Sequence, residues 1–213
     1  MTNILCINTA FSKADIALKK DGQNSFKSLN ASAKTSENVL PAIENILTAN
    51  NLSPKELDVF SVVVGTGSFT GLRIGVAIVK GMAVANKKMK IVALNSLTLM
   101  ARKFLKDNAN FDKDFYCIQN ALSGRFFVSK FNANGDILEK AKLVFELPQK
   151  TVFVGLESEG LDFVNFVVEL DGKVLLEESE REIADKNFVA LEKLEPLYLR
   201  LSQAEENLLK ISD

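Results

Sequence analysis

Apolar residues in the first hundred positions fall into runs of two periods. Short continuous runs at 3–9 ("NILCINT"), 58–65 ("DVFSVVVG") and 90–94 ("KIVAL") have the length and β-branched content of strands covered on both faces. "KADIALKK" (13–20) alternates apolar and polar, as a half-buried strand does. Asp21-Gly22 follows as a hairpin signal, and "NSFKSLN" (24–30) is a weaker third strand. From Asn38 to Ala49 the period changes: Val39, Leu40, Ile43, Ile46 and Leu47 recur as on one helix face. Pro41 costs little within three residues of a cap at Asn38, whereas a helix beginning at Ser36 would place it inside and be bent by it. Further helices are expected over Gly71–Asn86 and 96–104. Three strands, helix, strand, helix, strand, helix describes an α/β layer in which a meander continues into parallel crossovers.

The second half begins in the same way. "CINTAFS" (6–12) set above "CIQNALS" (117–123) aligns Cys, Ile, Ala and Ser. The alternating strand then faces "FFVSKF" (126–131), and Asp21-Gly22 faces Asn134-Gly135. This reads as an internal duplication offset by roughly 111 residues, against the alternative of chance similarity between two amphipathic hairpins. The second copy degrades after "ILEKAKLVFELP" (137–148); strands are expected at 151–158 and 163–170 and a helix near 180–193. The polar stretch "KDNANFDKD" divides an N-terminal unit, 1–106, from a degenerate C-terminal unit, 107–213, whose last helix is expected to pack back on the first. Two such copies are the layout of the duplicated actin-like fold (ASKHA, ribonuclease H-like), an α/β class with mixed sheets flanked by helices. In that fold the turn after each first strand grips phosphate. The candidates for a vestigial cleft are therefore Asn8, Thr9, Ser12 and Asn120. Enzymes of this fold carry an Asp where this chain has Asn8, and an amide neither acts as a base nor holds a hard cation well.

The loop "GTGSFTG" (65–71) joins a strand to a helix, as phosphate-binding loops do. It fails the Walker and dinucleotide templates alike, because Thr70 stands where each requires Gly and no Lys follows. Two readings remain: a tight turn with Ser68 or Thr70 capping the helix, or an anion held by the helix N-terminus with Arg73 assisting. The helix itself carries only Arg73 and Lys80 as charges between Gly71 and Ala85. Small residues recur at Gly71 and Gly75 and at Ala77, Gly81 and Ala85, beside a row of Ile74, Ile78 and Met82. Such a helix is either enclosed within its own chain or offers a face on which another helix can approach closely.

Composition narrows the chemistry. The chain of 213 residues is 47% apolar, carries a formal net charge of −1 and contains no histidine. Ser-His-Asp and Cys-His catalysis and His-ligated metals are thereby excluded. Near-neutral charge gives no field to hold nucleic acid unaided. Cys6 and Cys117 sit in apolar runs and read as buried thiols. With no leader signal and no apolar run of transmembrane length, a soluble cytoplasmic protein is expected.

"GTGSFTGLRIGVAIVKGMA" (65–83) closely resembles the hallmark "GPGSFTGLRIG" of the TsaB family, also called YeaZ, with Thr66 in the usual Pro place. "TSENVLP" (35–41), "NTAFSKADIAL" (8–18) and "EPLYLR" (195–200) resemble further family signatures. In the second half "NALSGRFF" (120–127) departs from the family pattern. The resemblance implies a glycoprotease-like protein related to TsaD. TsaB is regarded as the non-catalytic partner of TsaD in making N6-threonylcarbamoyladenosine at position 37 of tRNA. It implies recruitment of the ATPase TsaE through the complex, contact with tRNA only indirectly, and no cofactor except ATP or ADP at a complex interface. Ser96 and Met100 occupy the places of TsaD's metal-binding histidines, so peptidase activity is not expected. Partner contacts, or those of a homodimer, are implied at Val39, Leu40, Ile43, Leu47, Gly71, Arg73, Ile74, Gly75, Ile78 and Met82. The alternative class is an ATP-binding or ATP-hydrolysing actin-like enzyme acting on a small molecule.

Overall fold

The structure, a computed structural model, describes residues 2–30 and 35–199. Ten strands form two five-stranded sheets. In the first, β1 (Ile4–Asn8), β2 (Lys13–Lys20) and β3 (Gln23–Asn30) are an antiparallel meander, and β4 (Val59–Val63) and β5 (Lys90–Leu94) add in parallel beside β1. In the second, β6 (Phe115–Asn120), β7 (Phe126–Phe131) and β8 (Ile137–Val144) repeat the meander, with β9 (Val152–Leu156) and β10 (Phe166–Val168) parallel beside β6. The orders β3-β2-β1-β4-β5 and β8-β7-β6-β9-β10 are identical, as the duplicated actin-like fold requires.

Alternation within β1 separates two cores. Leu5 and Ile7 face a layer made by α1 (Thr35–Ala49) and α2 (Phe69–Ala85), with Val39, Ile43, Leu47, Val76 and Val79 packed on Phe60 and Val62. Ile4 and Cys6 face the opposite layer, shared with α3 (Ser96–Asp107), α4 (Gly172–Ala184) and the second sheet through Phe104, Phe115, Cys117, Phe131 and Leu175. The last helices of the two repeats are exchanged. α3 packs on β6, β7, β9 and β10, while α4 packs on β1, β2, β3 and β5. Glu178, 4% exposed on α4, lies 3.4 Å from both Arg102 Nε of α3 and Arg181 Nε, which ties the exchanged pair together. Cys6 and Cys117 are buried free thiols; burial pushes Cys6 up to about 12 and Cys117 well above its ordinary value.

Two expectations change, at α1 and α4. α1 begins at Thr35, so Pro41 lies inside the helix and cannot donate to the carbonyl of Glu37. The degradation expected after 137–148 falls on the crossover helices of the second copy, and 137–144 forms β8. Residues 145–151 replace one, and a loop with a single 3-10 turn, Glu157–Glu159, replaces the other. The final described α-helix, α4, is capped by Asp171, whose carboxylate accepts from Val174 N–H (2.9 Å), and ends at Ala184 rather than spanning 180–193, where only a 3-10 turn, Leu191–Lys193, follows. Beyond Ala184, Val189 N–H donates to Ile91 O (2.9 Å) along the free edge of β5. Finally, a last helix packing back on the first lies outside the described residues.

Candidate functional site

The two strand-to-strand turns use their asparagines alike. Asn8 Oδ1 accepts from Ala10 N–H (3.0 Å), and Asn120 Oδ1 accepts from Leu122 N–H (2.8 Å). Both amides are spent on turning the chain. Thr9 is drawn away from the cleft, its hydroxyl donating to Gly71 O (2.7 Å) at the start of α2. The glycine loop is pressed against this turn. Ser68 N–H donates to Ala10 O (2.7 Å), and a Cβ at Gly67, whose φ is +143°, would stand 2.6 Å from the same oxygen. Ser68 Oγ caps the helix by accepting from Gly71 N–H (3.2 Å). The loop is thus a packed turn and cap. Arg73 is held in an aromatic clamp: its guanidinium lies 3.9 Å over the Phe69 ring, and its Nε donates to Tyr198 O–H (3.1 Å).

Between the sheets lie two openings. One of about 230 Å³ is lined by Asn8, Ser12, Lys13, Asp15, Glu157 and Glu169 over apolar walls. The other, about 490 Å³, brings Ser12 and Asn120 together with Ser68, Phe69 and Glu159. Carboxylates outnumber cations in both. Burial holds Asp15 above the usual range, partly countered by the Ser28 hydroxyl at 2.5 Å. Lys13 is tied to Glu169 at 2.5 Å. Burial pushes Glu159 up to about 7, against the pull of the hydrogen bond from Asn120 N–H (2.8 Å). In the first opening three carboxylates, Asp15, Glu157 and Glu169, stand against one paired lysine, an unfavourable seat for a polyphosphate. Among the described residues no group of three or more His, Cys, Asp or Glu side chains is placed to hold a metal ion.

The ten residues assigned to a partner face divide sharply. Val39, Ile43 and Leu47 are at most 2% exposed and belong to the core under α1. Gly71 and Gly75 also face inward; a Cβ on Gly75 would meet Thr9 Oγ1 at 2.7 Å and Val62 at 3.1 Å. Ile74, Ile78 and Met82 are half-buried, and only Leu40 and Arg73 are exposed. The outward face of α2 therefore runs through Arg73, Ala77, Gly81 and Val84, flanked by Ile74 and Ile78. It contains no acidic residue. A Cβ at Gly81 would meet nothing within 4 Å, and Val84 is 67% exposed. The sequence reading mixed the two faces of α2, because apolar residues cover nearly its whole circumference. Ser96 and Met100 are both fully buried: Ser96 Oγ accepts from Thr66 N–H (2.7 Å), and Met100 sits in the shared core. The buried pair Thr66 and Gln119, with half-buried Glu159 nearby, was not legible as a cluster; polar Gln119 within an apolar strand was its one signal.

A family model described as TsaD, tRNA N6-adenosine threonylcarbamoyltransferase, matches residues 29–141. A curated relative, the tRNA threonylcarbamoyladenosine biosynthesis protein TsaB of Escherichia coli (strain K12), is 27% identical over 96% of this chain and 97% of its own length. The TsaB of Buchnera aphidicola subsp. Acyrthosiphon pisum is 26% identical over 78% of this chain and 80% of its own. Two solved structures share the fold. A Pseudomonas aeruginosa protein described as similar to the peptidase YeaZ superposes with a TM-score of 0.78 at 17% identity, covering 94% of this chain and all of that one. YeaZ from Pseudomonas aeruginosa gives 0.76 at 17% identity, covering 93% of this chain and all of its own.

Proposed function

The chain belongs to the TsaB/YeaZ group of the TsaD family, and from that premise we propose that it is a non-catalytic partner subunit in tRNA N6-threonylcarbamoyladenosine biosynthesis. It binds a TsaD homologue through the outward face of α2 and the adjoining Leu40 of α1. The observation that carries this reading is a face of small and apolar residues, Ala77, Gly81 and Val84, left open on a helix whose other side is in the core. A second helix can approach such a face closely without displacing large side chains. In this account TsaE joins through the complex, tRNA is contacted only indirectly, and the chain works in the cytoplasm. No helix among the described residues is long and apolar enough to cross a membrane. The amide at Asn8, the packed glycine loop and the acidic opening beside Asn8 oppose the alternative, an ATP-dependent enzyme. ATP or ADP would be held only where the partner completes a site.

Isothermal titration separates the two. The TsaD homologue of the same organism should bind the chain, and Val84→Glu should weaken that binding at least tenfold while the thermal melt stays unchanged, because Val84 is exposed. Micromolar binding of ATP and Mg²⁺ to the isolated chain, followed by turnover, would establish the alternative.

A further inference from the structure

We infer that the buried polar chain Ser96–Thr66–Gln119, with the Glu159–Asn120 bond beside it at the rim, is a latch that sets the angle between the two sheets across the cleft. Its parts come from both repeats. Ser96 opens α3, Thr66 lies in the turn between β4 and α2, Gln119 and Asn120 end β6, and Glu159 closes the turn after β9. Ser96 Oγ accepts from Thr66 N–H at 2.7 Å and lies 2.9 Å from the Thr66 hydroxyl. That hydroxyl donates to Gln119 Oε1. Glu159 accepts from Asn120 N–H at 2.8 Å. Thr66, Ser96 and Gln119 are each at most 2% exposed, and Gln119 Nε2 is enclosed without a partner in hydrogen-bonding geometry. Gly65 brings the two loops this close, since a Cβ there would run into the nitrogen and hydroxyl of Ser96.

The remainder of the junction is of a different kind. Behind the cleft the sheets share one apolar core through Cys6, Leu97, Phe104, Phe115 and Leu175, with the exchanged helices α3 and α4 inside it. Apolar packing is non-directional and lets one layer rock on another, whereas hydrogen bonds fix an angle. The greasy side is therefore the hinge and the polar side the catch. Opening is inexpensive at the catch, because water replaces each released bond and would satisfy the amide that is enclosed unpaired when the catch is shut. The cleft beside it, walled by Gly67, Phe69, Asn120, Leu122 and Glu159, is the space whose width the catch governs.

Spin labels at Glu44 on α1 and Lys140 on β8, both exposed, report the angle by dipolar spectroscopy; Cys6 and Cys117 are buried and leave the labelling selective. The otherwise unaltered chain should give one narrow distance. Thr66→Val and Gln119→Leu should each add a second population, raised about tenfold over a minor state of a few per cent or less, and Thr66→Ser should restore the single distance. Unchanged distributions in folded Thr66→Val and Gln119→Leu would overturn the assignment. Hydrogen exchange on the unaltered protein covers failure to fold. The amides of Thr66 and Asn120 should exchange together, and faster than those at the centre of β1 and β6; exchange of these two only with global unfolding would equally refute the latch.

Discussion

Two glycines of α2 make opposite demands on an added methyl group. At Gly71 a Cβ would overlap Thr9 O outright and stand 2.9 Å from its carbonyl carbon. These are backbone atoms of the β1–β2 turn, held in place by the Thr9 hydroxyl bond to Gly71 O and by Ser68 N–H to Ala10 O. They cannot yield without moving the turn or the helix start. Gly71→Ala gains about 1 kcal/mol of helix propensity and loses it to overpacking, which costs ~3 kcal/mol or more when backbone must shift. The net loss of about 2–3 kcal/mol corresponds to ~4–12 °C in Tm for a chain of this length. At Gly81 nothing lies within 4 Å and the residue is exposed in the helix interior, so Gly81→Ala should gain roughly 0.5–1 kcal/mol. Scanning calorimetry of both variants beside the parent reads the difference. The reasoning is refuted if Gly71→Ala melts with the parent, or if Gly81→Ala is the less stable of the pair.

Other outcomes follow from the same geometry. Ala77→Glu, exposed on α2, should leave the melt within about 1 °C while abolishing capture of the TsaD homologue in a pull-down. Glu159 takes up a proton in the folded protein at about 7, against 4.5 for the ordinary group. Its ionisation therefore costs stability above pH 7, a cost relieved as pH falls through 7 and gone below 4.5. Glu159→Gln should then raise stability by on the order of 1 kcal/mol at pH 8 and bring no gain near pH 4.5, measured by urea melts at both. Glu178→Ala removes the buried carboxylate between Arg102 and Arg181 but leaves both arginines open to water, and should cost no more than about 1 kcal/mol by the same method.

Much of the fold could be read from hydrophobic period. β5 falls on the residues of "KIVAL", β2 on "KADIALKK", and the repeat announced by the two cysteine strands reappears as two sheets of identical order. Periodicity is a local signal, and its failures are non-local. The exchange of α3 and α4 leaves no trace in either helix, since each shows the same apolar stripe whichever sheet it covers. α4 begins earlier than expected because its cap at Asp171 precedes a stretch rich in glutamate, "LLEESERE", whose apolar face is short. The loss of crossover helices from the second copy is likewise a matter of what covers the outer face of β6 and β7, where Tyr116, Ile118 and Val128 are closed over by loop residues such as Leu147 and Leu161. In the candidate site the sequence marked the bounds of α2 nearly and placed Asn8 at the end of β1, yet it could not sort Gly75 from Gly81. Both are glycines at helical spacing; only the proximity of Val62 and Thr9 tells them apart.

The central claim is that the molecule acts by presenting a surface rather than by performing a reaction. The most direct measurement is threonylcarbamoyl transfer to tRNA in a reconstituted mixture of the organism's own components. The account predicts modification with the intact chain present, little without it or with Ala77→Glu in its place, and none from the chain alone. Full modification in its absence, or transfer by the isolated chain, would contradict it.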